Sequence, residues 1–492
     1  MLLLLLACTA ADDAPKPDDT GDTGPDTDPD DTAPDDTGAG PAVGSVADAD
    51  AILYGASSDA VGNAVAYAGD DDGDGYDAVV VGASFPGRTC VWRGPLAPGS
   101  HDFAALETCW APEGARDYAG QAVDGGRDVT GDGVPDLLVA AIANGEVGPL
   151  AGKVYVLAGP HVGGSLADAE LQFLGESASD YAGTAVVLLG DIDGDGGGDL
   201  LVGAPANDAG GSGAGRAYLV RGPMEPGTWS VGDAWATFTG EGPSALRHGA
   251  PAAGDGVGSV ACGAGDMNGD GLDDLVLGAN GNELGGNDAG VAAIFFGPVG
   301  EGDHPLQDAD QLWIGEVPLQ FVGDAVAAAG DLDGDGLADV LVSGEMEGPG
   351  AVWVVSGPGL PGTNSIGAAT IRFEGEAILN FAGAATAGAG DTDGDGWRDV
   401  LIGAYGRDVS AMDGEEEAGA AYLVRGPFVP GVFDLRDASH AWHGHAPGDE
   451  AGRAVAGGGD LDGDGRSDVV VAAPYSDTGG AFGGEVYAFF GP

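Results

Sequence analysis

Short apolar runs separated by glycine, proline and aspartate organise most of this chain. DLLVGA at 199–204, GRAYLVRGP at 215–223 and AWATFTG at 234–240 are typical. Each places small, β-branched or aromatic residues between turn formers, the signature of a strand. After residue 45 no stretch has the length and 3.6-residue period of a core helix. The runs return in a fixed order. A glycine-rich run, such as YAGTAVVLLG ending at Gly190 or FVGDAVAAAG ending at Gly330, leads into an aspartate-rich loop, and a strongly apolar second run follows. A third ends in Gly-Pro, as in GKVYVLAGP at 152–160, AAIFFGP at 292–298 and the final GEVYAFFGP. A fourth carries aromatics, as in ELQFLG at 170–175, DQLWIG at 310–315, TIRFEG at 370–375 and SHAWHG at 439–444.

Seven such units succeed one another, with loops beginning at Asp70, Asp128, Asp191, Asp266, Asp331, Asp391 and Asp460. A recurring unit of this length with four strand candidates predicts an all-β, seven-bladed β-propeller with four-stranded blades. The ends of the repeat region are complementary. DADAILYG at 48–55 matches the fourth-strand position, and only a second and third run follow the seventh loop. The N-terminal strand is therefore expected to complete the last blade and close the ring, pairing edges that would otherwise invite aggregation.

The loops carry the candidate chemistry. Their pattern is D-x-D-G-D-G-x-x-D, with carboxylates at positions 1, 3, 5 and 9 and glycines at 4 and 6 for a tight turn. All-oxygen ligands in this number suit Ca²⁺, which takes six to eight. Four loops are complete: Asp191, Asp193, Asp195 and Asp199; Asp331, Asp333, Asp335 and Asp339; Asp391, Asp393, Asp395 and Asp399; Asp460, Asp462, Asp464 and Asp468. Asp266, Asn268, Asp270 and Asp274 replace one acid by an amide. Asp128, Thr130, Asp132 and Asp136 replace it by a hydroxyl. Asp70, Asp72 and Asp74 are followed by Ala78 at position 9, so this seventh site is incomplete. Up to seven Ca²⁺ ions are expected, each pinning a hairpin. An EF-hand would need Glu at position 12 and flanking helices; here position 12 lies within a strand.

Composition narrows the partners. The net charge is −64, and lysine occurs only at Lys16 and Lys153. Such a surface repels nucleic acid and favours divalent cations or basic partners. The first residues, MLLLLLAC, resemble the end of a bacterial lipoprotein signal, so residues 1–8 read as a truncated signal that leaves Cys8 lipidated. Residues 9–45, rich in Asp, Pro, Thr and Gly, read as an extended, self-repelling tether, and residues 46–492 as the propeller. Cys90 and Cys109, on two successive predicted strands, are expected to form a disulfide in an oxidising compartment. Cys262 reads as a small hydrophobe.

The unit resembles the FG-GAP repeat of integrin alpha-subunit propellers and of many bacterial surface proteins. The FG part survives as Tyr-Ala-Gly at 118–120 and 181–183, Phe-Val-Gly at 321–323 and Phe-Ala-Gly at 381–383. The GAP part survives as Gly-Ala-Pro at 203–205, with Gly-Ala at 82–83, 278–279 and 403–404. The resemblance implies loops on the face opposite the main ligand-binding face. It places partner binding on the other face, where 240–256, with Arg247 and His248, and 405–419 are unusually long segments.

No HExxH, P-loop, nucleophile elbow or Rossmann fingerprint is present, and the seven histidines form no recognised zinc spacing. The expectation is a non-enzymatic binding or adhesion scaffold for a protein or glycan outside the cytoplasm. It would be a bacterial outer-membrane or cell-surface lipoprotein, or secreted, touching membrane only through lipid on Cys8. The alternatives are a structural envelope or matrix component and a carbohydrate-binding, lectin-like propeller.

Overall fold

The structure, a computed structural model, describes residues 42–242, 254–344, 348–377, 380–406 and 418–492. Residues 1–41, with Cys8 and most of the tether, the parts of the two long segments at 243–253 and 407–417, and with them Arg247 and His248, lie outside the described residues.

Seven sheets form one closed ring. The inner strands are Val61–Gly69, Ala119–Arg127, Val186–Leu188, Val260–Gly265, Val326–Gly330, Ala385–Gly390 and Ala454–Gly459, and they define blades 1 to 7. Each inner strand touches the inner strands of both neighbouring blades, the seventh meeting the first. The second and third strands, such as Ala78–Ala83 and Arg88–Arg93 in blade 1, are sandwiched between neighbouring sheets. Ala78–Ala83 and its six counterparts are buried at every position. That explains runs such as VVV and LLV, which show no alternation: both faces of the strand meet apolar neighbours. Seven hydrophobic clusters result, one at each blade-to-blade interface.

The ring closes as the sequence predicts. Ala51–Tyr54 pairs antiparallel with Glu485–Phe489 and supplies the fourth strand of blade 7. The blades, however, hold five strands, not four. The fifth is short, parallel and donated by the next repeat. Gly227–Ser230 lies beside Leu171–Leu174 of blade 2, and Gly99–Asp102 lies beside Ala51–Tyr54 of blade 7. Ala42–Ser45, within the stretch read as tether, does the same for His440–His443 of blade 6. These segments carry no apolar pattern because they cover an edge and face solvent. What they supply is backbone pairing for a row of otherwise open N–H and C=O groups.

Each fifth strand runs into one turn of 3-10 helix, for instance Leu166–Asp168 and Val231–Asp233. In six of the seven turns a Ser or Asp side chain caps it, as Ser165 accepts from the Ala167 N–H. The first residue of the turn is a buried apolar plug, such as Phe103, Leu166 or Ile366. Cap and plug together aim the chain into the next blade.

The Tyr-Ala-Gly and Gly-Ala motifs explain each other. Tyr118, Tyr181, Phe321 and Phe381 have φ of 52–55°, and the glycine two residues on is also left-handed, with Gly120 at 78°. This kink brings Gly120 of blade 2 against Gly82 in the second strand of blade 1. A Cβ on Gly82 would lie 2.1 Å from the Gly120 carbonyl oxygen; Gly203 meets Gly258, and Gly403 meets Gly452, in the same way. Backbone touches backbone at these interfaces, so neither residue tolerates a side chain.

Cys90 and Cys109 sit directly opposite one another on adjacent strands and are bonded. Among the described residues, no helix is long and apolar enough to cross a membrane.

A chain beginning at Ser58 lacks both the closing strand and the edge cover of blade 6, whereas one beginning at Pro41 keeps them. The shorter chain is expected to lose the cooperative melt and to aggregate, as read by circular dichroism and light scattering. Equal melting of the two would show that closure contributes nothing.

Candidate metal centres at the blade hairpins

Every loop joins an inner strand to the second strand of its blade, so the seven share one face of the ring. The position 1 carboxylate organises the turn. Asp191 Oδ1 accepts the N–H groups of Gly194 at 2.7 Å and Asp195 at 3.0 Å, and its Oδ2 accepts that of Gly196 at 2.8 Å. Gly194 and Gly196 have φ of 85° and 90°, which a side chain would oppose. The same bonds to positions 4 and 6 recur from Asp70, Asp128, Asp266, Asp331, Asp391 and Asp460. Positions 3 and 5 cap the following residues, as Asp333 accepts from Asp335 N–H and Asp335 from Leu337 N–H.

Position 9 is different. Asp136, Asp274, Asp339, Asp399 and Asp468 begin their second strands, Asp199 immediately precedes its own, and all six are buried. One oxygen accepts the position 2 N–H, at 2.7 Å for Leu332 to Asp339. The other accepts the glycine N–H of the Gly-Pro that ends the third strand, at 3.1 Å for Gly357 to Asp339. Each of these acids therefore ties the loop, the second strand and the end of the third strand. Burial pushes the carboxyls of Asp199, Asp274 and Asp339 up to about 6 and that of Asp468 to about 7, with neighbouring loop aspartates adding to the shift.

The loops bring the predicted ligands together. Carboxylate oxygens converge within 4.8 Å of one another in Asp70, Asp72 and Asp74; in Asp128, Asp132 and Asp136; in Asp191, Asp193 and Asp199; in Asp331, Asp333 and Asp339; and in Asp391, Asp393 and Asp395. The loops of Asp266, Asn268, Asp270 and Asp274, and of Asp460, Asp462, Asp464 and Asp468, repeat the same turn. At that separation each pair of like charges costs about 3 kcal/mol at an effective dielectric of about 20. Asp193 Oδ2 is buried and accepts no well-aligned hydrogen bond, its charged neighbour being Arg221 Nε at 2.6 Å. A hard cation with an all-oxygen shell fits this donor set. Thr130 fits differently: its hydroxyl points at Asp136 Oδ1, 3.2 Å away, and takes up ligand capacity inside the loop.

Blade 1 departs from the pattern. Position 2 is apolar or Thr in the other loops but is Asp71 here, and Asp71 is buried. Arg93, which precedes the Gly-Pro of the third strand, grips both Asp71 oxygens, with Nε to Oδ1 at 2.8 Å. His161 of blade 2 adds its N–H and its Nδ1, 2.9 Å from Asp71 Oδ2. Although burial opposes it, these partners hold the Asp71 carboxyl well below the usual carboxylate range. Asp77 does not replace the missing position 9: its carboxylate accepts the Asp460 N–H of the neighbouring loop. Arg221 and Arg425 occupy the place of Arg93 in blades 3 and 6. Arg221 Nε lies 2.6 Å from Asp193 and 2.7 Å from Asp195, and Arg425 Nε lies 3.4 Å from Asp393. These arginines escaped the loop-centred reading, although Arg-Gly-Pro at 93–95, 221–223 and 425–427 marks them.

The opposite face carries an aromatic belt. Phe85 and Tyr118 meet edge to face at 5.2 Å, as do Tyr475 and Phe482 at 6.2 Å. Arg453 stacks over both Tyr405 and Tyr475. Phe85, Tyr118 and Phe482 are exposed. Cys262 is partly buried, and burial together with the Asp124 charge pushes its thiol up to about 12, far from a nucleophile's range.

Residues 182–220, 382–424 and 451–489, in blades 3, 6 and 7, match the FG-GAP repeat. The chain is 28% identical to integrin alpha-5 of Xenopus laevis over 156 residues, which is 30% of this chain and 14% of that protein. It is 29% identical to integrin alpha pat-2 of Caenorhabditis briggsae over 234 residues, 42% of this chain and 17% of that protein. The matches thus span less than a fifth of these relatives. Among solved structures, BBS1N in complex with ARL6DN overlaps 89% of this chain and 96% of its own at 10% identity and a TM-score of 0.44. The ring is a seven-bladed propeller in which three blades match the FG-GAP repeat, and part of it is similar to integrin alpha subunits.

Replacing Asp339 by Ala orphans the N–H groups of Leu332 and Gly357, at about 1–3 kcal/mol each. Replacing exposed Asp335 by Ala orphans only the N–H of Leu337 at the surface. In chelator, Asp339→Ala is expected to melt well below the parent and Asp335→Ala close to it. Denaturant unfolding checks the difference.

Proposed function

We propose that this chain is a calcium-stabilised, extracytoplasmic propeller that serves as a non-enzymatic binding or adhesion scaffold for a protein or glycan. The observation that carries the reading is the division of labour between the two faces. One face concentrates aspartate hairpins whose oxygens converge and whose ninth residues, in six blades, tie the loop to the second and third strands of the same blade. The other exposes Phe85, Tyr118 and Phe482, the last packed on Tyr475, over which Arg453 stacks. Flat apolar rings with a nearby cation suit sugar faces and protein hot spots alike. Similarity to integrin alpha subunits supports an adhesive role, and the ligand class is left to the aromatic face.

Calcium is the cation the donor set favours, held by the four-acid loops of blades 3, 5, 6 and 7 and the amide- and hydroxyl-bearing loops of blades 4 and 2. Unfolded chains lack such preformed sites, so binding adds stability by linkage. Sites of this kind in extracellular modules bind at about 10⁻⁴ to 10⁻³ M. Lipid on Cys8 would make the chain a bacterial outer-membrane or surface lipoprotein with the propeller on a tether; without it the protein is secreted. The acidic surface excludes nucleic acid as a partner.

Chelated protein is expected to melt at a higher temperature on addition of about 2 mM Ca²⁺, and to respond much less to Mg²⁺. No shift, with no calcium found by metal analysis, removes the metal from this reading. On glycan and extracellular-matrix protein arrays run in calcium, Phe85→Ala with Phe482→Ala is expected to weaken binding at least about tenfold, the loss of roughly one hot-spot contact. The melting temperature should stay unchanged. Undiminished binding by this variant would place the ligand elsewhere.

A further inference from the structure

The seven hairpins are not equivalent, and blade 1 solves the charge problem without a metal. Three observations converge there. Ala78 removes the ninth carboxylate, which in the other six blades joins the loop to the third strand. Asp71 stands buried at position 2, where the other loops place Val129, Ile192, Met267, Leu332, Thr392 and Leu461. Arg93 commits four of its five N–H donors within the protein: Nε and Nη2 to Asp71, Nη1 to Thr108 Oγ1 at 2.7 Å, and Nη2 also to the His161 carbonyl at 2.8 Å. Its Nε lies 3.4 Å from Asp72 as well.

We propose that the Arg93 guanidinium is the built-in cation of the blade 1 hairpin: it pins loop to third strand, and this loop takes no structural calcium. The inference rests on the calcium reading of the other loops and refines it to six sites. A planar guanidinium with five donors can bridge a carboxylate, a hydroxyl and a carbonyl at once, as a bound ion would. The three acids left at Asp70, Asp72 and Asp74 are too few for a Ca²⁺ shell beside a fixed positive charge.

Calcium bound per full-length chain is measured by equilibrium dialysis with elemental analysis. Three proteins are compared: the parent, Asp70→Asn with Asp72→Asn and Asp74→Asn, and Asp331→Asn with Asp333→Asn and Asp335→Asn. The blade 1 variant is expected to bind as much calcium as the parent, and the blade 5 variant one ion fewer. Loss of one ion from the blade 1 variant overturns the proposal. Absence of calcium from the parent would defeat the calcium reading instead, and a second measurement then decides for Arg93. Arg93→Met should lower the melting temperature equally in calcium and in chelator, because its guanidinium acts with or without metal. A melting temperature unchanged by Arg93→Met overturns the proposal in either case.

Discussion

The structure turns on a buried carboxylate. In six blades the ninth loop residue sits under the hairpin and accepts from the loop on one oxygen and from the end of the third strand on the other. No apolar residue could satisfy both N–H groups. Yet a buried acid beside other acids resists ionisation, as the raised values at Asp199, Asp274, Asp339 and Asp468 record. Positive charge close to these hairpins would offset that cost. A chain of net charge −64 with few basic residues has little of its own. In the proposed reading a divalent cation would supply it at six loops and Arg93 at the other.

This balance also explains the distribution of the scarce arginines. Arg93, Arg221 and Arg425 all precede Gly-Pro, where the third strand ends beside its loop. Arg93 gives four hydrogen bonds to Asp71, Thr108 and the His161 carbonyl, whereas Arg221 and Arg425 lean against loops that retain all four acids. Half-exposed pairs of this kind contribute little on their own; beside a bound cation they would tune its field.

Much of this was legible in the chain. The four principal strands of each blade announce themselves as apolar runs, and Gly-Asp-Gly marks each hairpin because both glycines are left-handed there. The ring closure followed from DADAILYG standing apart from its own blade. The fifth strands were not legible: GTWS and GTNS bury nothing and pair only through backbone, so no periodicity betrays them. The capped turns after them did leave a trace, a Ser or Asp before a lone apolar residue, as in SLAD and SVGD. The Asp71–Arg93–His161 network joins residues far apart in sequence across two blades. It becomes visible only when the third strand of blade 1 and the Gly-Pro-His of blade 2 are placed side by side.

The donated fifth strands bear on how the ring comes apart. In an open array of repeats, a terminal unit can fray while the others persist. Here the outer edge of each blade is covered by the lead-in of its successor, and the last is closed by the first. Opening any blade uncovers the rim of the one before it and loosens the inner wall on both sides. The ring has no end from which to peel, so its loss is concerted, and a sub-ring of fewer blades is not a natural unfolding intermediate.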